Sequence, residues 1–224
     1  MNLLIDRSVL DRIPGFSLGM IQYADTSVSE SPKMLQGRIN LFFETLRLEK
    51  NVSDITSIEG VSQWRAAFKS LGIDPSRYRP SSEALLRRIL QGNTLHWVNS
   101  AVDVNNFLSV THALPYGIYD MSKISGSVVC RLGQEADQYA GINGREVGMN
   151  GKLLLADDTG AFGSPIVDST RTMVTESATN LMQVIFFHPT LPLNQKETIL
   201  GSSARMFTEI NGGEVVLTKL VAHT

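Results

Sequence analysis

The segment "NLMQVIFFHP", residues 180–189, gives the strongest indication of the fold of this chain. It is nearly continuously apolar, and a strand of that composition is buried on both faces of its sheet. We therefore expect this segment to lie in the interior, with the remaining elements arranged around it.

Helical patterns dominate the first half of the chain. In residues 30–50, apolar side chains at 35, 39, 42, 43 and 46 form one helical face. Ser31 is the expected N-cap of this helix, with Pro32 at its first position. Three more helices are expected in residues 59–75, 79–93 and 98–115, the middle one capped by Ser81 or Ser82. Trp64 and Trp97 are expected in the core.

Strand patterns dominate the second half. After one strand within residues 15–28, short β-rich segments punctuated by glycine or asparagine are found only after Asp120, and they lie within 126–132, 137–142, 144–149, 151–158 and 213–222. One late helix is expected within residues 194–213. Helices followed by strands indicate an α+β fold with a central, mostly antiparallel sheet flanked by helices. Without a repeat or linker, residues 1–224 are expected to form a single domain.

The composition argues against several classes of protein. The chain has 224 residues, 42% of them apolar and 19% charged, and no apolar run reaches the roughly 18 residues of a membrane span. The start of the chain does not read as a secretory signal, so a cytoplasmic protein is expected. One cysteine excludes an intrachain disulfide, and the four histidines lack metal-ligand spacing. We expect no metal and no organic cofactor.

The charge pattern allows RNA binding only through a local patch. The formal net charge is −2, whereas proteins that hold nucleic acid through its phosphates are usually basic. Residues 65–88, however, carry six basic and two acidic side chains, a net +4. Four arginines of this patch are candidate RNA contacts: Arg77, Arg79, Arg87 and Arg88. An ordinary solvated helix face is the alternative.

The stretch "GAFGSPIVDSTRT", residues 160–172, concentrates small and polar side chains directly after an apolar run. Backbone N–H groups near Gly163 and Ser164 can stabilise an oxyanion, and Asp168 can hold an α-ammonium group. Ser169 and Arg171 add further polar contacts to a substrate. The alternative is a surface turn that is held by an ion pair between Asp168 and Arg171.

Several motifs together resemble a known domain. "VDVNNF" (102–107), Pro115 and then "YD" (119–120) resemble the Val-Asp-x-x-Asn…Pro…Asp pattern of the B3/B4 domain in the β subunit of bacterial phenylalanyl-tRNA synthetase. "LADDTG" (155–160) and "VTESATN" (174–180) are similar to segments that follow in that domain. The chain resembles still more the free-standing B3/4 proteins, over roughly residues 15 to 220.

The resemblance implies an α+β unit whose cleft holds the amino-acid end of a charged tRNA. In the synthetase this domain hydrolyses wrongly charged tyrosyl-tRNA. Asn106 matches an asparagine that lines the cleft, and Gly163 and Ser164 fall near a loop of small residues beside the ligand. Two positions depart from the family: Gly117 replaces a pocket histidine, and a glutamate that binds the tyrosine hydroxyl falls on or beside Val184 and Ile185. Recognition of a phenol is therefore not expected.

Three functions are compatible with the sequence. The first is a free-standing hydrolase of mischarged aminoacyl-tRNA, in which Asn106 orients the substrate, Gly163 and Ser164 supply N–H donors and Asp168 binds the amino group. Further substrate contacts are expected from Ser169, Arg171 and Gly117. The second is a non-catalytic module that binds tRNA or an amino-acid-like ligand. The third is an enzyme that acts on free amino-acid derivatives, which the net charge of −2 favours.

Overall fold

The computed structural model describes residues 1–222, so the last two residues of the expected domain lie outside the description. The α+β class is confirmed. The helices are α1 (Arg7–Arg12), α2 (Lys33–Glu49), α3 (Glu59–Ser70), α4 (Ser81–Leu90), α5 (Ser100–His112) and α6 (Leu193–Asn211). The strands are β1 (Leu3–Ile5), β2 (Ser17–Ala24), β3 (Tyr116–Asp120), β4 (Val128–Leu132), β5 (Gln138–Ala140), β6 (Glu146–Gly148), β7 (Leu153–Asp157), β8 (Gly160–Gly163), β9 (Leu181–Phe187) and β10 (Glu214–Val221).

The segment quoted first forms β9, an inner strand of an antiparallel sheet with the order β10-β2-β9-β3. Every residue of β9 is buried, as its apolar run predicts. Its neighbours are β2, which pairs from Ser17 to Tyr23, and β3, which pairs from Tyr116 to Asp120. β2 comes from the first part of the sequence, whereas β9 and β10 come from its last part. This sheet therefore brings the two parts together.

A second four-stranded sheet, with the order β1-β4-β7-β8, accompanies the first. Its β1 and β4 run parallel, while the other neighbours are antiparallel. The sequence led us to expect one central sheet and gave no indication of β1, α1 or β3. It also placed Gly160–Gly163 in a loop, whereas these residues form β8. A separate hairpin joins β5 and β6.

The helices lie where the apolar periodicity places them, but their first residues differ from expectation. Prolines occupy the N-cap positions of α2 and α4, at Pro32 and Pro80, with no side-chain cap. Ser31 instead donates its hydroxyl to the carboxylate of Asp103. Ser81 and Ser82 lie just inside α4, after the extended backbone of Pro80.

The core confirms one of the two expected tryptophans. Trp64 is fully buried, and its indole N–H donates to the carbonyl of Phe186 at 3.1 Å. Trp97 is 36% exposed, so its placement in the core was wrong. The single cysteine, Cys130, is buried in β4, and burial raises the pKa of its thiol.

Two features are absent from residues 1–222. No helix in this range has the length and apolar character needed to cross a membrane. Over the same range, no group of three or more His, Cys, Asp or Glu side chains is placed to hold a metal ion.

Candidate functional site

The candidate site lies where the two four-stranded sheets meet, each through one of its edge strands. β3 is an edge of the antiparallel sheet and β8 is an edge of the mixed sheet. The ring of Tyr119 on β3 packs edge-on against Phe162 on β8, with 5.0 Å between ring centroids. This contact brings Gly117 of β3 and Gly163 of β8 to the two sides of one tyrosine.

Tyr119 fills the space beside both glycines. A Cβ atom added to Gly117 or to Gly163 would overlap the hydroxyl end of the Tyr119 side chain, which is fully buried. Residues 117 and 119 point to the same face of β3 because side chains alternate along a strand. The absence of a side chain at 117 therefore gives the tyrosine its room, and no open hollow lies between these glycines.

Asp168 is the titratable group at this junction. Its Oδ1 accepts the hydroxyl of Tyr119 at 2.7 Å and the backbone N–H of Ser164 at 3.2 Å. Burial raises the pKa of this carboxyl to about 7, although the two hydrogen bonds oppose the shift. The residue as a whole is half-buried, and Oδ2 has no hydrogen-bond partner within residues 1–222.

Ser164 is engaged by its own turn, which corrects the expectation of free donors there. Its hydroxyl donates to the carbonyl of Val167 at 2.9 Å and accepts the N–H groups of Ile166 and Val167. Its backbone N–H donates to Asp168, and the residue is 3% exposed. The N–H group that was expected to stabilise an oxyanion is thus already used within the protein.

Arg171 pairs with Asp157 rather than with Asp168, so the alternative of a turn that is held by an Asp168–Arg171 pair is wrong. Two guanidinium nitrogens contact the two oxygens of Asp157 at 2.9 and 3.1 Å. Burial alone would raise the pKa of Asp157, but hydrogen bonds from Arg171, Ser125 and Thr159 hold it at about 2. Arg171 also donates to the carbonyls of Lys123 and Gly160, so its guanidinium joins the end of β7 to these two neighbouring segments.

A groove of about 420 Å³ runs beside Arg171. Two of the expected substrate contacts, Ser169 and Arg171, contribute to its wall. The hydroxyl of Ser169 is buried and accepts the backbone N–H of Arg171 at 3.0 Å. The groove is lined by Ala136, Asp137, Gln138, Tyr139, Ala140, Thr159, Gly160, Ala161, Ser169, Thr170 and Arg171.

Asn106 and its neighbour Asn105 have different roles on α5. Asn105 is buried; it donates to the carbonyl of Tyr116 and accepts from Gln183 at 3.0 Å, which fixes the helix over the sheet. Asn106 is half-buried, and its amide makes no hydrogen bond within residues 1–222. Gly117 lies directly opposite Val184 in the β3–β9 register, so the two positions that depart from the family are cross-strand neighbours.

The basic patch is organised around a buried carboxylate. Glu83 has no exposed side-chain surface and accepts hydrogen bonds from Arg65 at 3.0 Å and Arg87 at 2.9 Å. Arg79 lies 4.0 Å from the same carboxylate. Of the four predicted RNA contacts, Arg79 and Arg87 are therefore partly neutralised within the protein. Arg77 lies over the ring of Tyr78, and Arg88 donates to the carbonyl of Thr94.

The basic patch adjoins the candidate site through one backbone contact. The N–H of Ser81, the first residue of α4, donates to the carbonyl of Pro165 at 2.8 Å. Pro165 follows directly on Ser164, so the arginine-bearing helix begins next to the turn that holds Asp168. The structure thus brings together Gly117, Gly163, Ser164 and Asp168, and sets the start of α4 beside them.

Sequence reasoning missed Tyr119, the residue that fills the site. A signal for it exists in the sequence: a glycine stands two positions before a tyrosine in "YGIYD", and in a strand both point to one face. Reading that signal required recognising β3 as a strand, and β3 is only five residues long.

Comparisons with known proteins identify similar sequences. A family model described as the B3/4 domain matches residues 63–210. "Uncharacterized protein YhzB" of Bacillus subtilis (strain 168) is 28% identical over 213 residues, which are 95% of this chain and 96% of that protein. The phenylalanine–tRNA ligase β subunit of Psychrobacter arcticus (strain DSM 17307 / VKM B-2377 / 273-4) is 33% identical over 94 residues, 41% of this chain and 12% of the subunit.

A solved structure aligns over nearly the whole chain. It is an N-terminal fragment of the phenylalanyl-tRNA synthetase β subunit from Pyrococcus horikoshii, with 12% identity, a TM-score of 0.48 and coverage of 99% of this chain and 54% of the fragment. The family model matches well over half of the sequence, so this chain belongs to the B3/4 domain family. The chain spans only a small part of the ligase β subunits it matches.

Proposed function

We propose that this protein binds the aminoacyl end of a charged tRNA, with Asp168 holding its amino group. The free Oδ2 of Asp168 carries this proposal: a half-buried carboxyl with one unpaired oxygen is suited to an ammonium group. This chain belongs to the B3/4 domain family and is similar to phenylalanine–tRNA ligase β subunits. Both findings support tRNA as the proposed partner.

The hydrogen bonds to Oδ1 fix the direction in which the carboxyl presents Oδ2 to the ligand. Tyr119 and Ser164 both donate to Oδ1, so the carboxyl is held in one orientation before the ligand arrives. A bound ammonium group stabilises the ionised form of Asp168 and lowers its pKa from about 7. Affinity is therefore expected to rise as the pH increases from about 6 to about 7, and to fall again above about 8, where the α-ammonium group of the ligand loses its proton.

The RNA body is proposed to lie along the start of α4. This helix begins against Pro165, next to the turn of Asp168, and the arginine patch extends from it. Arg77 and Arg88 are the members of the predicted set that do not contact Glu83, so their charge remains available for phosphates.

A matched pair of variants tests the binding proposal. Asp168→Asn keeps the shape of the side chain and removes its charge, whereas Asp158→Asn removes an exposed carboxylate nearby. With a non-hydrolysable amide mimic of aminoacyl-adenosine, calorimetry is expected to show a loss of affinity of tenfold or more for Asp168→Asn and no change for Asp158→Asn. Equal affinities of both variants and the parent would contradict the proposal.

Hydrolysis of the ester is a second proposal, an alternative in which Asp168 does not hold the amino group and acts instead as the general base, a role suited to its pKa of about 7. Oδ2 would take a proton from the attacking water as the carbon–oxygen bond forms. The ester bond then breaks, and the proton passes to the departing ribose oxygen, which releases the amino acid and the tRNA. The engaged donors of Ser164 favour the alternative, binding without hydrolysis.

Deacylation of a panel of mischarged tRNAs separates these two readings. A rate above buffer that is lost in Asp168→Asn supports hydrolysis, and tight binding without any such rate supports a binding module. A thermal shift by free amino acids, together with no binding of tRNA, would instead favour an enzyme of free amino-acid derivatives.

A further inference from the structure

The loop between α4 and α5 presents an exposed tryptophan. Trp97 and Val98 are 36% and 59% exposed, and Gln91–Val98 are exposed apart from Leu95. A large aromatic side chain at the surface is uncommon in a protein whose other tryptophan, Trp64, is fully buried. The exposed part of Trp97, next to the exposed Val98, leaves an apolar face open to a partner.

Three contacts fix the backbone of this loop, and a fourth, at Ile89, holds the last turn of α4 beside it. Arg47 donates to the carbonyls of Ile89 and Asn93 at 2.8 and 3.1 Å. Arg88 donates to the carbonyl of Thr94 at 2.8 Å. At the other end, the N–H of Val98 donates to the carboxylate of Asp103 at 3.1 Å. An aromatic side chain on a loop held in this way loses less entropy when it binds a flat partner.

The charge beside Trp97 is positive. The guanidinium of Arg88 lies 3.1 Å from the ring of His96, the residue that precedes Trp97, and both side chains are exposed. An aromatic face next to arginine is the combination that binds unpaired nucleotides, because the base stacks on the ring and the phosphate meets the cation.

We propose that Trp97 is a stacking platform for an unpaired nucleotide at the 3′ end of the tRNA. The inference rests on the proposed function for the identity of the RNA. The loop also adjoins the segment that follows the Asp168 turn, because the side-chain amide of Asn99 donates to the carbonyl of Val174 at 3.2 Å. In this proposal, the RNA strand that stacks on Trp97 continues to an aminoacyl end at Asp168.

The test follows the fluorescence of Trp97 during titration with tRNA. The chain has two tryptophans, so the difference between the parent and Trp97→Phe reports Trp97 without any change to the core. Intact tRNA is expected to quench this signal, and tRNA that lacks its unpaired 3′ nucleotides is expected not to. Equal quenching by both RNAs would contradict stacking on the 3′ end.

Affinity measurements complete the test. Trp97→Ala is expected to weaken the binding of intact tRNA about 5- to 150-fold, the range of a stacked base, while Trp97→Phe keeps most of the affinity. Leu48→Ala, at another exposed apolar residue, serves as the control. Unchanged affinity of Trp97→Ala overturns this inference alone, since the Asp168 variants test the function separately. If the parent binds no tRNA at all, both the function and the inference fail.

Discussion

Tyr119 joins two backbone segments that belong to different sheets. Its ring passes Gly117 on its own strand and Gly163 on β8, and its hydroxyl reaches Asp168. One side chain therefore fills the position beside residue 117 and holds the carboxyl of the site in place. The identity of the residues at 117 and 163 follows from this packing, since any side chain there would displace the tyrosine.

Gly117→Ala is expected to destabilise the fold by about 1–3 kcal/mol, the usual range when a packed interior receives an extra methyl group. The new Cβ would overlap the Tyr119 hydroxyl. Gly37→Ala is the control: position 37 lies on the exposed side of α2 with open space around it, and alanine there should stabilise the helix by about 0.5–1 kcal/mol. Urea denaturation measures both changes, and a loss of stability in both variants would contradict this packing argument.

The stability of the protein should fall as the pH rises from about 4 to about 7 through the contribution of Asp168. Burial raises the pKa of its carboxyl to about 7 in the folded chain, whereas an exposed aspartate has a pKa of about 3.9. Between these values the folded chain retains a proton that the unfolded chain has lost, so the stabilisation present at low pH disappears as the pH rises.

Two variants isolate this contribution in denaturation curves recorded from about pH 4 to about pH 8. Asp168→Asn removes the titration and should make the free energy of unfolding less dependent on pH over that range. Tyr119→Phe removes a hydrogen bond that lowers the pKa of Asp168, so the decline should extend to higher pH. A steeper pH dependence in Asp168→Asn than in the parent would rule out this assignment.

At the scale of elements, α4 is attached by charge as well as by its apolar face. Leu86 and Ile89 are buried, and Glu83 lies between them and the start of the helix without exposed surface. Its carboxylate receives Arg65 from α3 and Arg87 from α4 itself. The pairing links α4 to α3, and the first residue of α4 is separately bonded to the carbonyl of Pro165.

Glu83→Gln is expected to cost about 1–3 kcal/mol, because it removes a buried acceptor of two charged hydrogen bonds. Glu44→Gln breaks the pair with Arg47, in which the glutamate is largely exposed, and should change stability by less than about 1 kcal/mol. Thermal unfolding of the two variants compares these costs directly. Similar small effects of both would show that the arginines around Glu83 are solvated rather than paired.

At the scale of the whole molecule, a net charge of −2 coexists with one basic patch. The proposed binding of tRNA is therefore expected to depend on few phosphate contacts and on the salt concentration. Arg77→Ala combined with Arg88→Ala should reduce the slope of log affinity against log salt concentration by about 1.5–2. Arg145→Ala with Arg205→Ala removes two exposed charges outside the patch and should leave the slope unchanged. Equal slopes for all three proteins would exclude the patch as the phosphate-binding surface.

The sequence predicts the elements better than the contacts between them. The spacing of apolar residues from Leu35 to Leu46 and the apolar run from Leu181 to Phe187 carry their own periodicity, so α2 and β9 were found. The five-residue β3 has no such pattern, because Gly117 interrupts it.

The candidate site was only partly predictable for the same reason. Arg171 stands three residues after Asp168, but it pairs with Asp157 because β7 and β8 fold the chain back and bring that carboxylate next to it. Trp97 is expected in the core from its residue type, but the polar contacts of its loop hold it at the surface. Partners that are chosen by tertiary structure cannot be read from local spacing.

The order of strands in the antiparallel sheet has a consequence for synthesis of the protein. β2 is made before both of its partners, β9 and β10, which begin only at Leu181 and Glu214. A nascent chain therefore carries the apolar Ser17–Ala24 segment without a pairing partner until those strands have been made. Folding is slow because a long loop must close before these strands can pair. We therefore expect a chaperone that binds unfolded chains to bind this segment first.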